Sequence, residues 1–119
     1  MKAVLSGRSR AAVAALVFML ADGNKEDPYS LHIIANKIGA SLSYMEQIFA
    51  KLREAQLVVS VRGPGGGYLL YEKSGDLTIT DVVLALAPDS RKNAFQMLIC
   101  KQLDNIKLAQ LVHCTHEIF

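Results

Sequence analysis

The stretch of sequence that decides the fold spans residues 41–68 and reads SLSYMEQIFAKLREAQLVVSVRGPGGGY. Its first half predicts an amphipathic helix over about residues 43–55, because its apolar residues recur at i, i+3, i+4 and i+7. These core-facing residues are Met45, Ile48, Phe49 and Leu52. A β-branched strand at 57–61 and a glycine hairpin at 63–67 follow. This succession is typical of a winged helix-turn-helix, which places its helix in the major groove of DNA.

The residues before this stretch supply the other helices. An Ala-, Leu- and Met-rich run at 11–21 predicts a helix that is buried on most faces. Ser30 then caps a second helix, which ends at the turn Gly39-Ala40. Ser43 and Glu46 have the spacing of a capping box for the third helix. Two short helices joined by a glycine turn form a helix-turn-helix.

The residues after the hairpin predict a polar loop at 72–77 and then a short helix, which is capped by Thr78 or Thr80 and ends near Leu86. A further helix at 93–106 and a last turn at 108–112 follow. The fold class is therefore mostly α with a small β-hairpin wing. We expect a winged helix-turn-helix DNA-binding domain at 1–87 and a C-terminal dimerisation helix and tail at 88–119. An otherwise exposed apolar stripe predicts the dimer contact, and it consists of Phe95, Leu98, Ile99 and Ile106.

Composition restricts the classes of protein that fit. The chain has 119 residues, 51% of them hydrophobic, which predicts a globular protein with a modest core. No apolar run is long enough for a membrane span, and the run at 11–21 lacks a convincing signal-peptide cleavage site. Two cysteines suggest no disulfide framework, so we expect a cytoplasmic protein. Residues 1–68 hold eight Lys/Arg and five Asp/Glu, so the small basic surplus lies in the half with the helix and hairpin.

The candidate DNA contacts lie on the outer face of the third helix. Ser43 and Gln47 lie opposite the apolar stripe, and Tyr44, Glu46 and Arg53 flank them. Small and hydrogen-bonding side chains suit the reading of base edges, and Tyr44 and Gln47 are the candidates for phosphate and base contacts. The alternative interpretation is an ordinary solvated helix face.

The hairpin and the N-terminus supply further candidates. In the wing, Arg62 would enter the narrow groove, while Gly63, Gly65 and Gly66 let the backbone approach a phosphate. The alternative is a hairpin with ordinary turn chemistry. A nucleotide-binding loop is disfavoured because the strand-like Tyr-Leu-Leu-Tyr follows the glycines.

Basic residues before the first helix are candidates for phosphate clamps. They are Lys2, Arg8 and Arg10, and their alternative role is simple solubility.

The sequence gives little support to a metal site or an enzyme. His113, Cys114 and His116 cluster in one short tail, whereas metal ligands normally come from several elements. Cys100 is assigned to packing. Since no nucleophile lies at a recognisable spacing from a base, we predict no enzymatic activity, no metal and no cofactor.

The motifs SLSYMEQIF at 41–49 and VRGPGGGY at 61–68 closely resemble those of the bacterial winged-helix transcriptional regulators of the IscR, NsrR and CymR type, also called BadM type. The likeness continues at 77–83 and 103–112 and covers most of the chain. It implies a homodimer with paired C-terminal helices that regulates metabolic or stress genes. Carried onto matching positions, it implies DNA contacts from the wing glycines and from Ser41, Ser43, Tyr44, Glu46, Gln47, Arg53 and Arg62.

Two departures from that family pattern bear on function. Iron–sulfur members carry three cysteines in a loop that here, at 88–92, is short and has no cysteine. The family's Lys-Gly-Arg-Tyr before the first helix reads Arg8-Ser-Arg-Ala, which keeps the basic pair and loses the aromatic residue. We therefore expect a homodimeric repressor on a palindromic duplex site, without the family's cluster and with an unknown effector. The alternatives are a protein-interaction module, or a sensor with non-standard ligands such as Cys100, Cys114 and His113.

Overall fold

The structure, a computed structural model, describes residues 7–22, 26–71, 76–87 and 107–109. Its elements confirm the predicted fold class of helices with a small hairpin. They run in the order α1 Gly7–Asp22, α2 Leu31–Ile38, α3 Leu42–Glu54, β1 Val58–Val61, β2 Gly67–Leu70 and α4 Ile79–Leu86. None of the helices in these ranges is both long and apolar enough to cross a membrane.

Helix α1 forms the centre of the core. Six consecutive residues, 12–17, are buried, as expected for a helix that is apolar on nearly all faces. The helix is longer than the predicted 11–21 and includes Arg8 and Arg10. These arginines were expected to precede α1, but the alanine-rich sequence extends the helix back through them.

The helix-turn-helix has well-defined caps. Ser30 is the N-cap of α2, and its hydroxyl accepts a hydrogen bond from the His32 amide at 3.2 Å. Gly39 ends α2 with φ 82°, a left-handed conformation that glycine adopts without steric cost. The predicted capping box at the start of α3 is wrong. Ser41, not Ser43, is the N-cap, and it accepts from the Tyr44 amide at 3.2 Å.

Helix α3 passes into β1 through a tight C-terminal cap. The Gln56 amide donates to the Arg53 carbonyl and the Leu57 amide to the Leu52 carbonyl, both at 2.9 Å. These two bonds define a Schellman motif, which usually places glycine at its left-handed position. Here Gln56 takes that position with φ 62°, and among the described residues no other non-glycine residue has a positive φ.

Strands β1 and β2 form an antiparallel hairpin in which Val58 lies opposite Leu70 and Val61 opposite Gly67. A single residue before α2 extends this sheet. The Tyr29 amide donates to the Tyr68 carbonyl at 2.8 Å, and the Tyr29 carbonyl accepts from the Tyr68 amide at 2.9 Å. Strand β2 therefore lies between β1 and Tyr29.

Helix α4 and the described C-terminal residues complete the core. Thr78 caps α4 in a capping box with Asp81, which confirms the first of the two predicted caps. Leu77, assigned from sequence to a polar loop, is instead buried, and its carbonyl accepts from the Leu108 amide at 2.8 Å. Leu108 is itself fully buried in the same core as α1 and α3. The predicted helix at 93–106 lies outside the described residues.

Candidate nucleic-acid interface

Helix α3 separates a buried face from an exposed face as its sequence predicts. The four predicted core residues are all at most 2% exposed, whereas Ser43, Glu46 and Gln47 are exposed to solvent. The exposed face offers one hydroxyl, one carboxylate and one amide within a single turn. Because an amide both donates and accepts, Gln47 has the chemistry to pair bidentately with adenine, and Glu46 can accept from cytosine.

Ser41 has a structural role beside its predicted DNA contact. Its Oγ accepts the Tyr44 amide at the N-terminus of α3, where a backbone donor would otherwise lack a helical partner. This bond uses an acceptor position of the hydroxyl, whose proton can donate to another oxygen, such as that of a phosphate. Ser41 is exposed at the same end of α3 as Ser43.

Tyr44 does not lie free on the solvated face. The sequence placed it beside the outer face of α3, but it is half-buried and packs against the hydrophobic core, so it also contributes to folding. A Cβ placed on Gly7 would lie 3.9 Å from the Tyr44 hydroxyl. The Tyr44 hydroxyl thus lies near the start of α1, where Arg8 and Arg10 are exposed.

The last turn of α3 carries Lys51, Arg53 and Glu54, which are all exposed. Lys51 Nζ lies 3.9 Å from Glu54 Oε2, with both side chains more than half exposed, so this ion pair contributes little to stability. Arg53 keeps its side chain in solvent, while its carbonyl is used by the cap at Gln56. The guanidinium group of Arg53 is therefore accessible to a phosphate at the C-terminal end of α3.

The tip of the hairpin is a type II turn. The Gly66 amide donates to the Gly63 carbonyl at 2.9 Å, across Pro64 and Gly65. Proline suits the second position of this turn, and the third requires a positive φ, which Gly65 supplies at 75°. The sequence Gly-Pro-Gly-Gly is therefore explained by turn geometry alone, as the alternative interpretation held.

Of the four predicted wing contacts, three lie at open positions and one lies at a closed position. A Cβ on Gly63 or Gly65 would meet nothing within 4 Å, so the backbone there is open to an approaching group. A Cβ on Gly66 would lie 2.3 Å from the Val61 carbonyl oxygen, so that side faces the inside of the hairpin. Arg62 is exposed beside the open positions. The structure thus places three of the four wing candidates on an accessible edge.

An aromatic contact joins the wing to α3. The rings of Phe49 and Tyr68 meet edge to face, with centroids 4.9 Å apart and planes at 60°. Phe49 is fully buried and Tyr68 lies directly after Gly67 in β2. The helix and the hairpin are thus joined at two places, through this ring contact and through the Schellman motif between α3 and β1.

Sequence patterns missed this aromatic contact and the pairing of Tyr29. Tyr29 forms an isolated bridge of one residue, and such a short segment has no periodicity from which a strand could be read. In the part of the chain that the structure describes, no three His, Cys, Asp or Glu residues group as metal ligands. Cys100, His113, Cys114 and the predicted dimer contact residues lie outside that part.

Comparison with known proteins gives one family. The Rrf2 family, described as an iron-dependent transcriptional regulator, matches residues 5–97. The HTH-type transcriptional regulator IscR of Vibrio atlanticus is 44% identical over 82 residues, which are 69% of this chain and 47% of that protein. IscR of Photorhabdus laumondii is 43% identical over the same length. The chain thus spans about half the length of these relatives.

Solved structures show the same fold. T. potens IscR superposes with a TM-score of 0.74 at 35% identity, covering 95% of this chain and 88% of that one. CymR, the global cysteine regulator of B. subtilis, also gives 0.74, at 26% identity, with 92% and 96% covered. The helices and hairpin described above are therefore those of a winged helix of the IscR and CymR kind.

Proposed function

The chain belongs to the Rrf2 family of transcriptional regulators, and we propose that it represses transcription in the cytoplasm as a homodimer bound to a palindromic duplex DNA site. Its named relatives are transcriptional regulators, and it resembles them across the helix-turn-helix and the wing. In this proposal α3 reads base edges in the major groove through Ser43, Glu46 and Gln47. The wing adds contacts beside it through Arg62, Gly63 and Gly65. Ser41, Arg8, Arg10 and Arg53 contact phosphates.

The observation that carries the proposal is the joining of two exposed polar elements by one aromatic contact at the edge of the core. The exposed face of α3 and the open edge of the wing are both held through Phe49 and Tyr68. A rigid helix and hairpin can engage a groove and the adjacent backbone together without a further ordering cost. A solvated helix face and a solvated hairpin would need no such coupling.

The proposal is tested first by selecting bound duplexes from random DNA with the full chain. We expect an inverted repeat, and affinity for the selected site should fall steeply as salt rises, because phosphate contacts release counterions. Binding that is indifferent to salt, or no enrichment of any duplex, would instead support the protein-interaction alternative.

A charge-matched pair of variants then tests the wing. Arg62→Ala should weaken binding to all duplexes by about 1 kcal/mol or relax an A·T preference beside the major-groove site. Lys107→Ala is the control, since Lys107 is an exposed cation that pairs with Asp76 at 3.5 Å. If both variants lose the same affinity, Arg62 acts only through net charge.

We propose that the dimer contact is the apolar stripe of Phe95, Leu98, Ile99 and Ile106. These four residues lie outside the described residues. The support for this contact is the sequence pattern, because an apolar stripe of that size left exposed would be an unusual patch on a monomer. Light scattering at micromolar concentration should give twice the mass of the chain. A monomer mass would contradict both the dimer and the palindromic site.

We also propose that the chain acts without the iron–sulfur cluster of the cluster-binding regulators that its sequence resembles. The donor set does not fit such a cluster, since a cluster is usually held by about four protein ligands, chiefly thiolates. The 119 residues hold two cysteines, Cys100 and Cys114. Anaerobically prepared protein should be colourless and should bind DNA equally with and without oxygen. Stoichiometric iron and sulfide, lost in Cys100→Ala or Cys114→Ala, would overturn this proposal.

A further inference from the structure

Tyr29 holds the start of the returning wing strand. It exchanges both backbone hydrogen bonds with Tyr68, at 2.8 and 2.9 Å. The approach is so close that a Cβ on Gly67 would lie 2.1 Å from the Tyr29 carbonyl oxygen. A movement of the Tyr29 backbone would therefore displace the start of β2, next to the turn of the hairpin.

The side chain of Tyr29 fastens this backbone to α1. Its hydroxyl donates to Asp22 Oδ2 at 2.6 Å, and its ring meets Phe18 edge to face with centroids 5.9 Å apart. A hydrogen bond to a carboxylate is shorter and stronger than one between neutral groups. The start of β2 is thus tied, through Tyr29, to the C-terminal end of α1.

Asp22 occupies a position that is unfavourable for α1 itself. It is the last residue of the helix, and the last turn has no basic residue. A carboxylate there faces the negative end of the helix dipole, which typically costs about 0.3–1 kcal/mol. Helix stability therefore gives no reason for an acid at this position, whereas the bond to Tyr29 does.

We propose that Tyr29 and Asp22 are positioning residues that hold the wing in its DNA-binding orientation. The inference rests on the proposed function, since it assigns them the orientation of Arg62 and the open glycines. Without the hydroxyl–carboxylate bond, the start of β2 keeps its backbone pairing with Tyr29, and the ring of Tyr29 keeps its contact with Phe18, but the hydrogen bond that fixes Tyr29 to the end of α1 is lost. The variant then loses conformational entropy of the wing when it binds DNA, whereas in the intact protein the wing is already ordered on folding.

The test measures affinity for the selected duplex with full-length variants. Tyr29→Phe and Asp22→Ala should each weaken binding by about 3- to 10-fold, the range expected for losing one partly exposed hydrogen bond to a charged group. Asp22→Asn keeps an acceptor oxygen and should bind nearly as well as the unmodified protein. In an Arg62→Ala background the loss from Tyr29→Phe should be smaller, because one of the wing contacts that Tyr29 orients is already absent.

A second readout does not depend on DNA. Hydrogen exchange at the Tyr68 amide, which donates to Tyr29, should be faster in Tyr29→Phe, while amides buried in α1 exchange as before. Equal affinity losses with and without Arg62, or unchanged exchange at Tyr68, would overturn the proposal.

If Tyr29→Phe does not fold, Asp22→Ala provides the same comparison, and its removal of an unfavourable charge protects α1. Failure of the unmodified protein to enrich any duplex would contradict the proposed function, not the role of Tyr29 in exchange at Tyr68.

Discussion

Helix α3 and the hairpin β1–β2 differ in what holds their shape. The helix is held by side chains, since its four core residues are at most 2% exposed and its polar residues face solvent. The hairpin tip is held by its backbone conformation, a type II turn. Its glycines either have a positive φ or leave no room for a Cβ atom. Core-facing and solvent-facing residues are consequently separated by face in α3, whereas in the wing open and closed positions follow one another directly along the chain.

This difference predicts how each region responds to substitution. On α3, a change either removes core volume or removes a contacting group, according to the face on which it lies. In the wing, a change at a closed glycine distorts the fold, and a change at Arg62 leaves the fold intact. The variants below test this distinction, beginning with the largest expected effect.

Phe49→Ala should have the largest effect, a loss of about 3–5 kcal/mol in the free energy of unfolding, because it leaves a cavity in the core. It also removes the edge-to-face contact with Tyr68, so the wing should loosen in the same variant. Urea denaturation gives the stability, and hydrogen exchange in β2 gives the state of the wing. A stable variant with a rigid wing would show that α3 and the hairpin are not coupled through this ring.

Gly67→Ala should cost about 2–4 kcal/mol, because its φ of 154° and the contact with the Tyr29 carbonyl both exclude a Cβ. Gly65→Ala is the matched control. Its φ of 75° is unfavourable, but the space around it is open, so about 1 kcal/mol is expected. Thermal unfolding should rank the two variants in this order. Equal losses would mean that the close approach of Tyr29 does not constrain the wing.

Gln47→Ala should leave the free energy of unfolding within about 0.5 kcal/mol of the original, because the side chain is exposed. Specific DNA binding should fall by about 1–3 kcal/mol if Gln47 pairs with a base edge, and non-specific binding should hardly change. Affinities for the selected and for a scrambled duplex measure both. Tyr44→Phe is a useful contrast, since it removes the hydroxyl near Gly7 but keeps the half-buried ring.

The sequence predicted α3 well because one turn after another repeats the same apolar spacing, and Met45, Ile48 and Phe49 are buried as expected. It placed the cap wrongly because Ser41 and Ser43 are chemically equivalent candidates two residues apart. Tyr44 was assigned to solvent because periodicity gives the direction of a residue but not the reach of a long aromatic ring.

Contacts between residues distant in the chain were not predictable in this way. The approach of Tyr29 to Tyr68 and the burial of Leu108 beside Leu77 involve single residues without a local pattern. The DNA contacts proposed for α3 and the wing stay predictions, because exposure shows that a side chain is available and not what it binds.

The smallest expected effect lies at Gln56, the residue that joins α3 to the wing. Gln56 is in the left-handed conformation, which costs a residue with a side chain about 1–2 kcal/mol. Glycine at this position would not have this strain, but it would lose more conformational entropy on folding than glutamine does. Gln56→Gly should therefore stabilise the protein by about 0.5–1 kcal/mol. Ala55→Gly, one residue earlier at φ −83°, has no strain to relieve and should destabilise it by a similar amount.

DNA affinity should be unchanged in Gln56→Gly, because the Schellman hydrogen bonds use backbone atoms alone. Calorimetry and DNA titration of both variants check these outcomes. A stabilised variant with weaker binding would show that the strained residue itself stiffens the joint between helix and wing.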